Sequence, residues 1–253
     1  AAGGGHKASE TLALHIHNPN PEVTEVERFV LGKGETRQLS GGPSATLQLS
    51  GFPALDAKAL FIQARDYAYD CTEQLSARGL TLLHLLPLLS GEDAAQAQAL
   101  LPELVTRLYA RQRADGGFAP WNGDTSQSWV SSMAGQFLTE AAKSGVNVDS
   151  GVLKNWKGYQ QKCSQVYKLA GSSVFSNLDE AYRLYTLALA GSANIAGMNR
   201  LREAGDIGQA ARWMLASAYA LGGKGAQASA LLDGNAREFP EYPFNSLTYG
   251  SSF

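Results

Sequence analysis

The stretch Asp70-Cys71-Thr72-Glu73-Gln74-Leu75 places a thiol and a carboxamide three residues apart at the expected start of a helix. Residues i and i+3 of a helix lie on one face, with Cβ atoms roughly 5 to 6 Å apart. The Cys71 sulfur could then attack the side-chain carbonyl of Gln74, expel ammonia and close an internal thioester. Free cysteine is also among the most buried residue types, so the spacing alone favours an ordinary buried Cys71.

The residues around this pair change that balance, because they resemble a known family. Residues 68–78 are similar to the thioester segment of the alpha-macroglobulin family, particularly of its bacterial members. Residues 111–121 contain Gln, then Asp-Gly-Gly-Phe, then Trp, which looks like a second signature of that family. The two glycines predict a tight turn between helices, with the aromatic residues Phe118 and Trp121 packed in the interior. Residues 139–145 fit as well, and the resemblance covers most of residues 50–253.

Hydrophobic periodicity gives a coarse architecture. Between residues 11 and 50, apolar and polar residues alternate around Leu12, Leu14 and Ile16 and again over residues 46–49, which predicts a short antiparallel β segment. From Leu55 onward, apolar residues recur every three or four positions, which predicts helices joined by short connections. The predicted helices cover residues 55–67, 75–90, 94–112, 126–144, 150–168, 177–190, 206–221 and 225–237.

Single residues mark the expected ends of several helices. Gly145, Gly191 and Gly222 stand where helices are expected to stop, and Asp149 and Asp206 stand near expected starts. Helical hairpins of this kind predict a mainly α fold, an α/α toroid.

The resemblance implies the same fold and a domain organisation. It implies that residues 53–253 form a thioester domain of α/α-toroid type, and that residues 1–52 form part of a β-sandwich (CUB-like) module. The family's ring has twelve helices and the periodicity predicts eight, so we expect an incomplete toroid.

Composition narrows the classes of function. The chain has 253 residues, 44% hydrophobic and 17% charged, with a net charge of −2, which is typical of a globular protein that buries a core. Lysines and arginines are scattered, which argues against nucleic acid as a partner. No apolar run reaches the roughly 18 to 20 residues of a membrane helix, and the start lacks a signal-peptide pattern and a Met, so we expect a mature or excised fragment.

The resemblance assigns roles to the motif residues. Cys71 is the thiol of the thioester and Gln74 supplies the acyl carbon, while Glu73, Tyr69 and Trp121 are auxiliary candidates. A thioester must be kept from water, and the nearby aromatic residues are candidate shields, although the residue type alone favours a core position for each of them. These aromatic residues are Phe61, Tyr67, Tyr69 and Trp121.

Two other features suggest chemistry and are weaker. Cys71 and Cys163 could instead form the chain's one disulfide, which would leave no thiol for a thioester. His15 and His17 share one face of a predicted strand, but no third ligand follows at a recognisable spacing, so we predict no metal and no cofactor.

The histidine distribution bears on the target. Thioester proteins that prefer hydroxyl groups use a histidine roughly a hundred residues downstream, and this chain has no histidine after His84. The corresponding region offers Asn177, Asp179 and Glu180 instead. We therefore expect direct attack by amines, hence by lysine side chains of a target protein.

The resemblance implies a function without enzymatic turnover, a broad-range protease inhibitor module that traps proteases covalently. Its expected partners are target proteases and other modules of the same full-length protein, and its expected location is the bacterial periplasm or cell envelope, with a lipoprotein anchor in the full-length protein. Two alternatives stay open: a toroid enzyme acting on a glycan or isoprenoid, and an inactive scaffold whose thioester is not formed.

Overall fold

The chain divides into two compact units, Ala1–Ala54 and Leu55–Phe253. The computed structural model describes residues 2–7, 9–12, 25–27, 29–42, 45–47, 49, 55–167 and 174–233. The assignment of residues 1–52 to a β-sandwich module and of residues 53–253 to a toroidal thioester domain stays a prediction.

The first unit contains a two-stranded antiparallel hairpin. Strands β1 (Ala2–Gly3) and β2 (His6–Lys7) pair with Ala2 opposite Lys7. Gly4 and Gly5 join them, and both have positive φ angles, 58° and 79°. A two-residue turn with positive φ at both positions matches the right-handed twist of the strands, and glycine adopts it without steric cost.

The β segment predicted between residues 11 and 50 is not found in the part of that stretch that the structure describes. Leu12, Thr46, Leu47 and Leu49 lie outside any strand, and Leu47 and Leu49 are exposed. Alternation predicts a strand only where a partner strand can take up its hydrogen bonds. The remaining residues of the predicted alternation, with His15 and His17, lie outside the described residues.

The second unit is helical, as predicted. Its described residues form nine α-helices and one short 3₁₀ helix (Leu86–Leu88). The α-helices are α1 (Ala57–Asp66), α2 (Thr72–Leu85), α3 (Gly91–Tyr109), α4 (Ser128–Lys143), α5 (Ser150–Val166), α6 (Val174–Leu189), α7 (Ile195–Glu203), α8 (Gln209–Leu221) and α9 (Gly225–Leu232). None of these has the length and apolar character that a membrane span requires.

Helix α7 was not predicted. It has only nine residues, and its first turn contains Gly197, a residue with low helix propensity. Asn194 caps it, because the Asn194 side chain accepts a hydrogen bond from the Gly197 amide at 2.9 Å. Met198 and Leu201 are its buried anchors, three residues apart. Two apolar anchors are too few for periodicity to distinguish a helix from a loop.

Three helices end in the same motif, which explains most of the predicted glycine stops. After α4, the Val146 amide donates to the Ala141 carbonyl at 3.0 Å, with Gly145 at φ 86° between them. This is the Schellman arrangement, in which a left-handed glycine lets the chain satisfy the last carbonyls of the helix. Helix α6 ends the same way at Gly191, and α8 ends at Gly223, one residue after the predicted Gly222.

The even-numbered helices form a continuous series. Helix α2 packs on α4, α4 packs on α6, and α6 packs on α8, while the odd-numbered helices lie against them. One apolar cluster extends from α1 to α5, with the fully buried Phe61, Phe137 and Trp156 in it. A second cluster spans α6 to α9 and contains Tyr219. This arrangement of helical hairpins is compatible with a toroid-type domain, and the incomplete toroid stays a prediction.

A buried polar network lies where α4, α5 and α6 meet. Arg183 pairs with Glu180, and it donates to Gln160 at 3.1 Å and to the hydroxyl of Ser128. Ser164 donates to the second carboxylate oxygen of Glu180 at 2.6 Å. Burial raises the pKa of Glu180, and Arg183 and Ser164 act in the opposite direction. Each of these two buried charges has specific partners, so removing one of them would leave the other charge buried without its ion-pair partner.

Glycine allows α2 and α4 to approach closely. A Cβ atom added to Gly79 of α2 would lie 2.3 Å from the ring of Phe137 of α4. Gly135 of α4 is tighter still, because its Cβ would lie 1.8 Å from Trp156. The helix that carries Cys71 is therefore packed directly onto its neighbour.

Substituting Gly79 tests this close approach. We expect Gly79→Ala to lower the free energy of unfolding by about 1 to 3 kcal/mol, because overpacking outweighs the better helix propensity of alanine. Gly158 of α5 is the matched control, since it is exposed and a Cβ there meets no atom within 4 Å. Gly158→Ala should raise stability by about 0.5 to 1 kcal/mol. Denaturant unfolding measures both, and equal gains would contradict the packing described.

Candidate functional site

Cys71 is the N-cap residue of α2. Its backbone is extended, with φ −60° and ψ 163°, and the helix begins at Thr72 rather than at the predicted residue 75. Cys71 and Gln74 have a capping-box arrangement: the Cys71 side chain faces the backbone N–H of Gln74 without a side-chain cap hydrogen bond, and the backbone N–H of Cys71 donates to Oε1 of Gln74 at 3.2 Å. This motif normally pairs Ser or Thr with Glu or Gln. Here the two side chains are a thiol and a carboxamide, three residues apart at the first turn of the helix.

The other end of the Gln74 carboxamide is also held. Its Nε2 donates to the hydroxyl oxygen of Tyr67 at 3.3 Å. Tyr67 is 46% exposed and packs edge to face with Tyr69, which is 65% exposed, with ring centroids 5.9 Å apart. Tyr67 thus lies over the amide end of Gln74, while Tyr69 extends the aromatic surface outward.

The first turn of α2 is anchored to the loop after α3. The Thr72 amide donates to the Pro120 carbonyl at 3.0 Å, and the Thr72 hydroxyl donates to the Ala119 carbonyl at 2.6 Å. Thr72 is fully buried. These bonds satisfy a helix N-terminal amide that has no partner within its own helix, and they fix α2 relative to the loop.

The glycines of that loop make the tight turn predicted from Asp115-Gly116-Gly117-Phe118. Gly116 has φ 93°, and a Cβ there would lie 2.3 Å from the Asn155 carbonyl oxygen. The Asp115 carboxylate accepts hydrogen bonds from the Gly117 amide at 2.9 Å and from Ser126 at 2.7 Å. Phe118 is fully buried, as predicted for an interior aromatic.

Trp121 differs from that prediction, because it is 47% exposed. The Arg111 guanidinium lies over its ring, 5.4 Å from the ring centroid, and a cation there is attracted by the negative π face. Phe61, a predicted shield, is instead a fully buried core residue between the helices. The sequence alone does not distinguish the exposed Trp121 from the buried Phe61, because an aromatic side chain is compatible with either environment.

An arginine cluster holds the residue that precedes Cys71. Arg107 forms an ion pair with the Asp70 carboxylate, and Arg111 lies 4.0 Å from the same carboxylate. Nη2 of Arg111 also donates to the main-chain carbonyl of Asp70 at 3.2 Å. Burial lowers the pKa of the neighbouring Arg78, whose guanidinium donates to the Ala64 carbonyl at 2.8 Å.

The remaining predicted residues lie in varied environments. Glu73 is exposed, which is typical of a carboxylate in the first turn of a helix. Asn177 accepts from the Tyr167 hydroxyl at 2.7 Å, and Asp179 lies 4.0 Å from Arg183 beside Glu180. The three polar residues of the region without histidine therefore take part in contacts that hold α6.

The alternative disulfide is not present, because Cys71 and Cys163 are both free. Cys163 is half-buried on α5. It lies one helical turn after Tyr159, whose pKa burial and Cys163 together raise to about 12. Among the residues that the structure describes, no group of three His, Cys, Asp or Glu side chains forms a potential metal site.

Sequence reasoning missed the arginine cluster and the contact between Tyr67 and Gln74. Asp70 is separated from Arg107 and Arg111 by 37 and 41 residues, so only the packing of α3 against α2 brings them together. The available signal was weak: two arginines four residues apart at the end of α3.

Comparison with solved structures identifies the class of fold. The chain is similar to the native alpha-2-macroglobulin of Escherichia coli, with a TM-score of 0.62 and 19% identity over 72% of this chain and 12% of that one. It is also similar to the Salmonella alpha-2-macroglobulin reacted with methylamine, with a TM-score of 0.62 and 20% identity over 72% of this chain and 13% of that one.

A shorter structure of the E. coli alpha-2-macroglobulin, from domain MG7 to the C-terminus, has a TM-score of 0.62 and 18% identity over 72% of this chain and 31% of that one. The predicted resemblance to bacterial alpha-macroglobulins is thus confirmed for the fold. The match spans about an eighth of the length of the full E. coli and Salmonella chains. Neither a protein-family model nor a curated relative matches the sequence.

Substituting Thr72 tests the anchor of the site. We expect Thr72→Val to lower the free energy of unfolding by about 1 to 3 kcal/mol, because the buried Ala119 carbonyl loses its hydroxyl donor. Thr106→Val is the matched control, since the exposed Thr106 hydroxyl donates only to the Pro102 carbonyl within its own helix. That control should change stability by less than about 0.5 kcal/mol. Equal losses in denaturant unfolding would contradict the anchor.

Proposed function

We propose that this chain is the thioester-bearing part of a bacterial alpha-macroglobulin that traps proteases covalently. The observation that carries the proposal is the capping box at the start of α2, which brings the Cys71 thiol and the Gln74 carboxamide onto one turn. The fold shared with bacterial alpha-2-macroglobulins supports it.

The proposed chemistry has two steps. The Cys71 sulfur attacks the Gln74 carbonyl carbon, the C–N bond breaks, and ammonia leaves with the thiol proton. A target amine then attacks the same carbon, a C–N bond forms, and the C–S bond breaks. The amine loses a proton and Cys71 regains a thiol. Sulfur donates little electron density to the carbonyl, and a thiolate leaves readily, so the stored acyl group reacts without an enzyme.

The target is an amine in this proposal. The four histidines are at positions 6, 15, 17 and 84, so none lies in the stretch about a hundred residues after Cys71, where a histidine would relay the acyl group to a hydroxyl. A lysine of a captured protein held beside the carbonyl reacts at a very high effective concentration, which allows a weak nucleophile to compete with water.

Proteases are the proposed targets. Similar E. coli structures are of alpha-2-macroglobulin activated by trypsin and by porcine elastase. We propose that this chain acts in the same way, as an inhibitor without turnover, together with other modules of a longer protein. A location in the periplasm or cell envelope, with a lipoprotein anchor, belongs to the same proposal.

Methylamine tests the proposed chemistry. With Cys163→Ser as the background, we expect native protein to show no free thiol before treatment and one thiol per molecule afterwards, measured by thiol titration. The protein should become about 31 Da heavier than its thioester form, because the methylamine nitrogen bonds to the Gln74 acyl carbon and a proton goes to the Cys71 sulfur. Cys71→Ser should gain neither thiol nor mass.

Two results would count against the proposal. A thiol that titrates fully before treatment, with no mass gain afterwards, indicates the inactive scaffold instead. A glycan- or isoprenoid-processing activity that persists in the Cys71→Ala variant would indicate the toroid enzyme instead.

A further inference from the structure

The peptide group between Asp70 and Cys71 is hydrogen-bonded at both ends. At its oxygen, Nη2 of Arg111 donates to the Asp70 carbonyl at 3.2 Å. At its nitrogen, the Cys71 amide donates to Oε1 of Gln74 at 3.2 Å. One peptide plane therefore links a guanidinium to the acyl oxygen of the candidate thioester.

Oε1 of Gln74, which accepts the hydrogen bond from the Cys71 amide, is the atom that becomes charged in the proposed chemistry. When sulfur replaces the amide nitrogen on the Gln74 acyl carbon and ammonia leaves, that oxygen stays. It carries the negative charge whenever the carbon becomes tetrahedral, both in closure and in attack by an amine. A preorganised N–H donor at such an oxygen lowers the barrier, and here the donor also lies at the positive end of α2.

Arg111 is itself held in place. It is 8% exposed, with its guanidinium over the Trp121 ring. Its amide donates to the Leu108 carbonyl at 2.9 Å, and its carbonyl accepts from the Ala119 amide at 3.1 Å. Arg107 pairs with the Asp70 carboxylate, whereas Nη2 of Arg111 lies 4.0 Å from that carboxylate and closer to the main-chain carbonyl, at 3.2 Å. Arg111 is thus a rigid donor that fixes the peptide plane, and donation to its oxygen strengthens the N–H at its other end.

We propose that Arg111 is a positioning residue that aims the Cys71 amide at the acyl oxygen of Gln74 and so accelerates acyl transfer to an amine. This inference rests on the proposed thioester. In the step concerned, the amine nitrogen bonds to the acyl carbon, the oxygen takes the charge beside the Cys71 amide, and the C–S bond then breaks while the amine proton passes to sulfur.

The test compares Arg111→Gln and Arg111→Lys with Arg113→Gln. Arg113 is a matched control two residues along, since its guanidinium donates to the Ala110 and Arg111 carbonyls of the same loop. The rate constant for methylamine is measured by thiol release. The thioester carbonyl band is measured by infrared difference spectroscopy with glutamine labelled with ¹³C at the side-chain carbonyl.

Arg111→Gln should react about 10- to 100-fold more slowly, somewhat less than the loss of a whole oxyanion donor. Its carbonyl band should move to higher frequency, because the hydrogen bond to the oxygen weakens. Arg111→Lys keeps a cationic donor and should recover part of both effects. Arg113→Gln should match the wild type in band position and stay within about threefold in rate.

A wild-type rate and band in Arg111→Gln, with the thioester formed, would overturn the inference and leave the proposed function intact. Equal slowing in Arg113→Gln would overturn it too, since that indicates a loosened loop. If Arg111→Gln does not fold, Arg111→Lys decides, because a wild-type band there overturns the inference and a shifted band supports it. A wild-type protein without a thioester overturns the proposed function and this inference together.

Discussion

The first turn of α2 depends on one reciprocal interaction, in which Cys71 and Gln74 cap the helix for each other. The Cys71 amide has no partner within its helix and finds the Gln74 oxygen at 3.2 Å. The interaction that starts the helix therefore also brings a nucleophile to an acyl group. In the proposed chemistry, the new C–S bond joins two side chains that already belong to the same helical turn.

The surrounding structure restricts how that turn can move. Thr72 is tied to the loop after α3 through the Ala119 and Pro120 carbonyls. Behind it, Gly79 allows α2 to lie directly against Phe137 of α4. On the side that faces solvent, Tyr67 shields Gln74 only in part, because nearly half of the Tyr67 surface is exposed. In the proposed function, further shielding comes from other modules.

Much of this could be predicted from the sequence, and the misses have physical causes. Apolar periodicity predicted the long helices, but it placed the start of α2 at Leu75, because the first turn is polar and formed by its cap. The short α7 has too few apolar residues for a period. Alternation of apolar and polar residues near Leu47 predicted a strand, but the described residues there form no strand pairing. The Asp70 contacts required tertiary packing.

The central claim is a covalent bond between Cys71 and Gln74, and the intact mass of the freshly purified, acid-denatured protein tests it most directly. Closure removes one ammonia, so the account predicts a mass about 17 Da below that of the sequence. The deficit should persist in Cys163→Ser and disappear in Cys71→Ser. A wild-type mass equal to that of the unmodified sequence would contradict the account.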